Sequence, residues 1–277
     1  MYRSSLEDAA IRHAQPSPGL IQQEQIIHLR DLEVRFGSGP PAVTGVSFGM
    51  RPGEFVSLVG PSGCGKTTVL NVVAGLVASD KASGVCTVAG KAPRAGNTDI
   101  AYMLARDALC PWLTTLQNAE IANSIRGVAR SRTRETALRL LEDVGLGHAL
   151  HAFPKELSHG MRQRVALART FSIDSSVLLM DEPFGALDVF TKIQLADVLL
   201  KLWEKERKTV LFVTHDLSEA IALSDRVLVM GTKPGRIVAD IRIDLERPRS
   251  IKSLQTDARF HELLSEVWSR LQEGTEI

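Results

Sequence analysis

Phosphate chemistry is written most plainly in the run Gly60-Pro61-Ser62-Gly63-Cys64-Gly65-Lys66-Thr67-Thr68. Two glycines with four residues between them, followed by Lys and Thr, form the pattern of a phosphate-binding loop. Glycines let the backbone fold back until several N–H groups converge on one point, and the helix that follows adds the partial positive charge of its first turn. In that geometry Lys66 reaches the β- and γ-phosphates of a nucleotide, and the Thr67 hydroxyl ligates Mg2+. The alternative is a glycine-rich turn that carries a lysine by chance. The flanks argue against it: residues 54–59 read as a short buried strand, and residues 69–76 follow with helical spacing.

A second set of reactive side chains lies far downstream. Residues 176–180 make an apolar strand that delivers Asp181 and Glu182 to its C-terminal end, the edge at which parallel α/β sheets bind ligands. Asp181 can hold Mg2+ there, and Glu182 can orient and polarise an attacking water, which is the positioning that phosphoryl transfer requires. Another buried strand, 209–213, ends at Thr214-His215-Asp216. A lone histidine is more often structural than catalytic, yet His215 falls at the same kind of strand end. Pro154 stops the segment before it, and Ser158 is a good N-cap for an apolar helix over 165–171. The stretch is either a capped helix and nothing more, or a second anion-binding helix start that presents the Ser158 hydroxyl and the Gly160 N–H.

These residues need a scaffold, and the chain supplies the elements for one. At 277 residues, 44% hydrophobic and 23% charged, it can bury a large core, and one mixed α/β domain with an added lobe suffices. Residues 1–24 are polar and read as a loose extension. Strand patterns cover 26–36 and 42–50, with breaks at 37–41 and 51–53. Phe36, at the end of the first strand, can stack on an adenine or sit in the core; taken alone, core is the better reading. A turn at 79–84 precedes strand-like pieces at 85–88 and 100–104. Leu109-Cys110-Pro111-Trp112-Leu113 is either a packed corner or an exposed docking feature. A helix over 132–145 lines Ala137, Leu138, Leu141 and Val144 on one side, while Arg130, Arg132 and Arg134 form a solvated face against the helix dipole. Gly185-Ala186-Leu187-Asp188 turns into a helix that reaches about Glu206. Two strand-like pieces, 226–230 and 236–243, flank a turn at 232–235. The last helix, about 257–271, carries Phe260, Leu263, Leu264, Val267 and Leu271 as a packing stripe, flanked by Trp268.

Bulk properties exclude several roles. A net charge of +1 offers no broad basic field for a nucleic-acid backbone. Cys64, Cys86 and Cys110 are odd in number and lack metal-ligand spacing, so they read as reduced cytosolic thiols. Cys64 beside the phosphate cradle is a candidate redox sensor, because nearby positive charge lowers a thiol's pKa. No apolar run approaches the ~20 residues of a membrane span. Glu7 and Asp8 stand where a leader would be apolar, so a cytoplasmic chain, at most resting against a membrane protein, is expected.

Taken together, these motifs resemble the nucleotide-binding subunit of an ABC transporter over about residues 25–250. Phe36 matches the aromatic that stacks on adenine, and Gly60 to Thr67 the Walker A loop. Residues 157–164, with Ser158 and Gly160, are similar to the family signature, 177–181 to Walker B, Glu182 to the general base, 185–188 with Asp188 to the D-loop, and His215 to the switch histidine. The resemblance implies a P-loop NTPase fold: a mainly parallel sheet, an antiparallel β part and a helical subdomain at about 105–163, followed by a C-terminal helix in 251–277. It implies ATP and Mg2+ as ligands. It also implies a homodimer in which Ser158 and Gly160 of one subunit close over ATP at Gly60 to Thr67 of another, with integral membrane permease subunits as partners and an external solute-binding protein acting indirectly. Leu109-Cys110-Pro111-Trp112, Met161-Arg162-Gln163-Arg164, Lys233-Pro234-Gly235-Arg236-Ile237 and Arg247-Pro248-Arg249 look like the nitrate/sulfonate/taurine import group. Soluble ABC proteins of translation or DNA repair fit less well, because the chain lacks a second ATPase cassette or a long heptad insertion.

Two positions depart from the family pattern. Ala105 stands where a glutamine usually touches Mg2+ and the attacking water, and a methyl group can do neither. His159 occupies a position that is usually Gly, and Met161 one that is often Gln. The alanine motivates an alternative, a nucleotide-gated assembly switch that hydrolyses little.

Overall fold

The computed structural model describes residues 25–185, 187–232 and 234–275. The extension expected at 1–24, and the parts assigned to Ala186 and Lys233, lie outside the described residues. In chain order the elements are β1 (Ile27–Val34), β2 (Val43–Met50), β3 (Phe55–Val59), α1 (Lys66–Val73), β4 (Ala82–Val88), β5 (Ile100–Met103), α2 (Thr115–Ile125), α3 (Arg130–Asp143), α4 (His159–Ser172), β6 (Val177–Asp181), α5 (Val189–Glu206), β7 (Thr209–Thr214), α6 (Leu217–Leu223), β8 (Arg226–Gly231), β9 (Arg236–Arg242), α7 (Ile251–Leu254) and α8 (Ala258–Thr275).

Two sheets carry them. A six-stranded sheet runs β5-β6-β7-β3-β8-β9, parallel except for the antiparallel edge β9; a three-stranded antiparallel sheet runs β2-β1-β4. β3 and β7 are buried at every residue, as continuous apolar strands in a parallel sheet covered on both faces must be. Because side chains alternate across a strand, Phe55 and Val59 of β3 join the core under α2 to α6 and α8, while Val56 and Leu58 join a second core under α1 and the antiparallel sheet. The α/β class with a parallel P-loop-type sheet and an antiparallel part is thus the observed one.

The lobe expected at about 105–163 holds α2, α3 and the start of α4. α2 has no counterpart in the sequence reading, although it opens on a full capping box: Gln117 N donates to Thr114 Oγ1 (3.3 Å), and Thr114 N to Gln117 Oε1 (2.9 Å). In α3 one residue of the expected stripe differs, while Ala137, Leu141 and Val144 are buried as expected. Leu140 is fully buried and Leu138 only partly, because Ala137, Leu140, Leu141 and Val144 at i, i+3, i+4 and i+7 form the buried face and Leu138 lies at its flank. α6 was also unforeseen; Asp216 caps it, accepting from Ser218 N and Glu219 N at 3.0 and 3.2 Å. α8 buries Phe260, Leu263 and Val267, leaves Trp268 54% exposed, and packs against α6, β8 and β9 in the first core.

Trp203 anchors the centre of that core. It is fully buried, edge-on to Phe55 at 5.6 Å, its indole N–H donates to Lys208 O (2.7 Å), and the guanidinium carbons of Arg207 and Arg247 lie 4.6 and 4.2 Å from its ring. Trp203→Ala is expected to cost about 3–5 kcal/mol, read as a lower denaturation midpoint with an unchanged slope.

Candidate functional site

Beyond Val59 the chain turns under tight restraint. A Cβ at Gly60 would stand 2.7 Å from Met230 O and 2.8 Å from Cys64 Sγ. Gly63 and Gly65 have φ of 79° and 101°, a conformation glycine adopts without steric cost, and a Cβ at Gly65 would also collide with Val43 Cγ1. α1 then starts at Lys66 without a side-chain cap, so the loop and the first helical turn present backbone N–H groups to an anion. Lys66 is buried, and its Nζ donates to Gly60 O (2.8 Å) and Pro61 O (3.0 Å). Ser62 and Thr67 are exposed, and Thr68 is half-buried.

Cys64 corrects the redox reading. Its side chain is 2% exposed, and burial pushes the thiol pKa up, outweighing the lowering by Lys66 and by backbone N–H groups. The cradle's positive charge therefore does not make it a thiolate. Cys86, pushed to about 12 by burial, is further still from reactivity.

The second constellation meets the first. Thr67 Oγ1 donates to Asp181 Oδ1 at 3.1 Å. Burial raises the Asp181 pKa; the Thr67 hydrogen bond opposes this, Glu182 adds to it and Lys66 subtracts. Glu182 sits at φ 44°, a left-handed conformation that costs a non-glycine residue about 1–3 kcal/mol. Its N–H donates to Val213 O (2.9 Å) and its carbonyl accepts from Gly185 N (3.1 Å), which fixes the turn. The side chain thereby reaches the end of β7, where Glu182 Oε2 lies 3.0 Å from His215 Nδ1. Lys66, Thr67, Asp181, Glu182 and His215 thus converge from three strand ends.

The remaining predicted residues lie elsewhere on the chain. Ser158 caps α4 by accepting from Met161 N (3.2 Å). The expected helix start near 165 moves to His159, directly after the cap. Gly160 is close to α5, where a Cβ would come within 2.8 Å of Thr191 Cγ2. Asp188 caps α5, accepting from Thr191 N (3.0 Å) and Thr191 Oγ1 (2.6 Å), bonds that hold its carboxyl below the usual range. Among the described residues, none of these three is hydrogen-bonded to the loop 60–68. Phe36 is 51% exposed, so the core reading fails and the ring is free to stack. Trp112 is 73% exposed, which decides between packed corner and docking feature in favour of exposure.

Sequence reasoning missed what holds the loop after β5. Arg162 Nε pairs with Asp107 Oδ2 (2.8 Å), Arg169 donates to Asp107 O and Ala108 O (2.7 and 2.8 Å), and Asn118 Nδ2 donates to Cys110 O, Leu113 O and Thr114 O. Little in the sequence marked it, since Asn118 shares the buried face of α2 with two other polar residues, Thr115 and Asn123. Ala105 lies exposed on this loop.

Comparison with known proteins gives a consistent answer. The profile of the ABC transporter family matches residues 43–185. A putative ATP-binding protein of Brucella abortus is 41% identical, with 87% of this chain and 92% of that protein covered. A taurine import ATP-binding protein of Rhizobium johnstonii is 39% identical over 84% of this chain and 90% of its own, and a nitrate transport protein of Klebsiella oxytoca 37% over 90% and 97%. Among solved structures, a dimeric ATP-binding cassette bound to ADP and Pi superposes with a TM-score of 0.67 at 28% identity, covering 79% of this chain and 100% of that one. Another, cbiO1 of Clostridium perfringens, part of an ABC transporter complex, superposes with a TM-score of 0.72 at 21% identity over 91% and 97%, a likeness of fold.

Two expectations follow from the geometry. Gly65→Ala strains the left-handed turn and presses on Val43; a fluorescent ATP analogue should bind at least roughly fivefold more weakly, since the strain alone is worth about 1 kcal/mol or more. Asp181 has a folded pKa above its unfolded value, so keeping it ionised costs stability, a cost absent in acid and fully present once pH exceeds the folded pKa. Asp181→Asn should therefore raise Tm at neutral pH, and the gain should shrink as pH falls below that pKa.

Proposed function

Since the chain belongs to the ABC transporter family, we propose that it is the ATP-hydrolysing subunit of an importer for a small anion such as nitrate, a sulfonate or taurine. The observation that carries the reading is the convergence of Lys66, Thr67, Asp181, Glu182 and His215 at the carboxyl edge of the parallel sheet, in a chain whose relatives are named as taurine and nitrate transport proteins.

In this reading the loop Gly60 to Thr67 cradles the phosphates of ATP, with Ser62, Gly63, Cys64 and Gly65 supplying backbone N–H groups and Pro61 shaping the turn, Thr68 extends the helix start, and Phe36 stacks on the adenine. Lys66 neutralises charge on the β- and γ-phosphates. Thr67 and Asp181 are adjacent oxygen donors and suit a hard cation that keeps water and phosphate oxygens as its other ligands. Mg2+ held there would offset the charge that develops on the phosphates. Glu182 orients the attacking water as base, and His215, bonded to it, holds its carboxylate and contacts the γ-phosphate. Ser158, Gly160 and Asp188 face the nucleotide of a second copy, so that two equal sites form across a two-fold axis. The exposed Trp112 loop docks on membrane permease subunits at the cytoplasmic face of the membrane, an external solute-binding protein acting through them. No helix among the described residues is long and apolar enough to cross a membrane. Nucleic acid is not a partner in this scheme.

Ala105 favours a second reading, an ATP-gated assembly switch with little hydrolysis. Steady-state Mg-ATP hydrolysis separates the two. The wild-type chain, alone or with its permease, should hydrolyse ATP; Lys66→Ala should abolish this through loss of binding. Glu182→Gln should leave ATP binding intact, slow turnover at least ~100-fold and accumulate an ATP-bound dimer on gel filtration. Unchanged turnover in that variant would remove Glu182 from the role of base. Ala105→Gln should raise turnover several-fold, and no change would show that the missing amide does not limit the rate.

A further inference from the structure

At the amino edge of the main sheet, the far end of β3 from Gly60, lies a cleft of about 410 Å3 lined by Arg51, Arg226, Arg242, Arg247 and Arg249, with Glu54 and Asp225. Its size falls within the ~300–1,000 Å3 of small-molecule sites. Five residues of β3, roughly 16 Å at 3.3 Å each, separate it from the phosphate loop, and the two share no residue.

Charge in this cleft is unbalanced. Arg226 is satisfied, with Glu54 at 2.9 Å and Asp240 at 2.6 Å. Arg247 pairs with Asp225 at 2.8 Å, which uses the second lining carboxylate. Arg51 and Arg242 are exposed and form no ion pair among the described residues. Arg249 is 9% exposed and meets no carboxylate: it donates only to the carbonyls of Ile221, Ala222, Ser224 and Leu245. Its Nε, and Nη1 of Arg247, have no hydrogen-bond partner. Burial, reinforced by Arg247, brings the Arg249 pKa down to about 10, which leaves it charged at neutral pH. A buried guanidinium without a counter-charge is costly, and an anion in the adjoining cleft would offset that cost.

We propose that this cleft binds a small oxyanion, gripped by the exposed forks of Arg51 and Arg242 and held by the charge of the part-buried Arg247 and the buried Arg249. Guanidinium groups match the paired oxygens of sulfate, sulfonate or phosphate bidentately. The ligand would bridge the turn before β3, the end of β9 and the segment 245–249, which links the sheet to α7.

The test uses the full chain with the phosphate loop filled by saturating Mg-ADP, because that loop itself takes sulfate and phosphate. Sulfate, phosphate and a short alkylsulfonate are titrated separately by calorimetry at constant ionic strength in chloride. The expected result is one saturable event for at least one of these oxyanions, the tightest identifying the source, and a tenfold or greater rise in its Kd in Arg51→Gln/Arg242→Gln, with ADP affinity unchanged. If that variant loses ADP binding, Arg51→Lys/Arg242→Lys takes its place, keeping the charge and removing the forks; the same tenfold weakening is expected. No saturable binding by the ADP-filled wild type, or undiminished binding in the variant that retains ADP, would overturn the proposal.

Discussion

Parallel pairing of β6, β7 and β3 is the constraint on which the site depends. Asp181 is registered with Val213, and Val59 with Thr214. Neighbouring strands lie about 4.8 Å apart, so strands that end level with one another deliver their next residues to one place. Those residues are Glu182, His215 and Gly60. The 3.0 Å contact between Glu182 and His215 and the 3.1 Å bond between Thr67 and Asp181 follow from that register, since a slip of one residue would turn each side chain to the opposite face. Burial of all three strands by apolar side chains on both faces fixes the register, so the core and the chemistry are one problem.

Much of this was legible because the signals were local and redundant. The loop 60–68 carries its own backbone requirement in glycine, and the strands at 55–59, 177–181 and 209–214 are apolar runs bounded by polar residues. Residues whose environment is set by distant segments were less legible. Phe36 looked like a core residue by type, yet β1 ends two residues earlier and leaves it exposed. Cys64 looked electrostatically activated, but the close approach of Gly60 and Met230 buries it. α6 was hidden because a seven-residue helix has almost no periodicity to read; only the cap at Asp216 announced it. Leu140 was passed over in the stripe of α3 because Leu138, Leu140 and Leu141 are all apolar and crowd one another, so the i, i+3, i+4, i+7 set from Ala137 did not stand out.

α4 has more than one duty. Its first turn is capped by Ser158 and approaches α5 at Gly160, while Arg162 and Arg169, farther along the same helix, hold Asp107 and Ala108 in the loop that continues to Trp112. The surface assigned to a second copy's nucleotide and the surface assigned to the membrane partner therefore belong to one hydrogen-bonded body. What α4 holds directly is Asp107 and Ala108, at the start of the loop that carries Trp112.

Lys66 is a structural member of the loop as well as a charge within it. Its ammonium spans the loop to the carbonyls of Gly60 and Pro61, closing a small ring of backbone much as a clasp closes a bracelet. Shape and electrostatics at this position are therefore a single quantity. Removing the ammonium leaves carbonyl groups in a largely buried setting without their donor, and a substitution that neutralises the charge also releases the curvature of the chain around it.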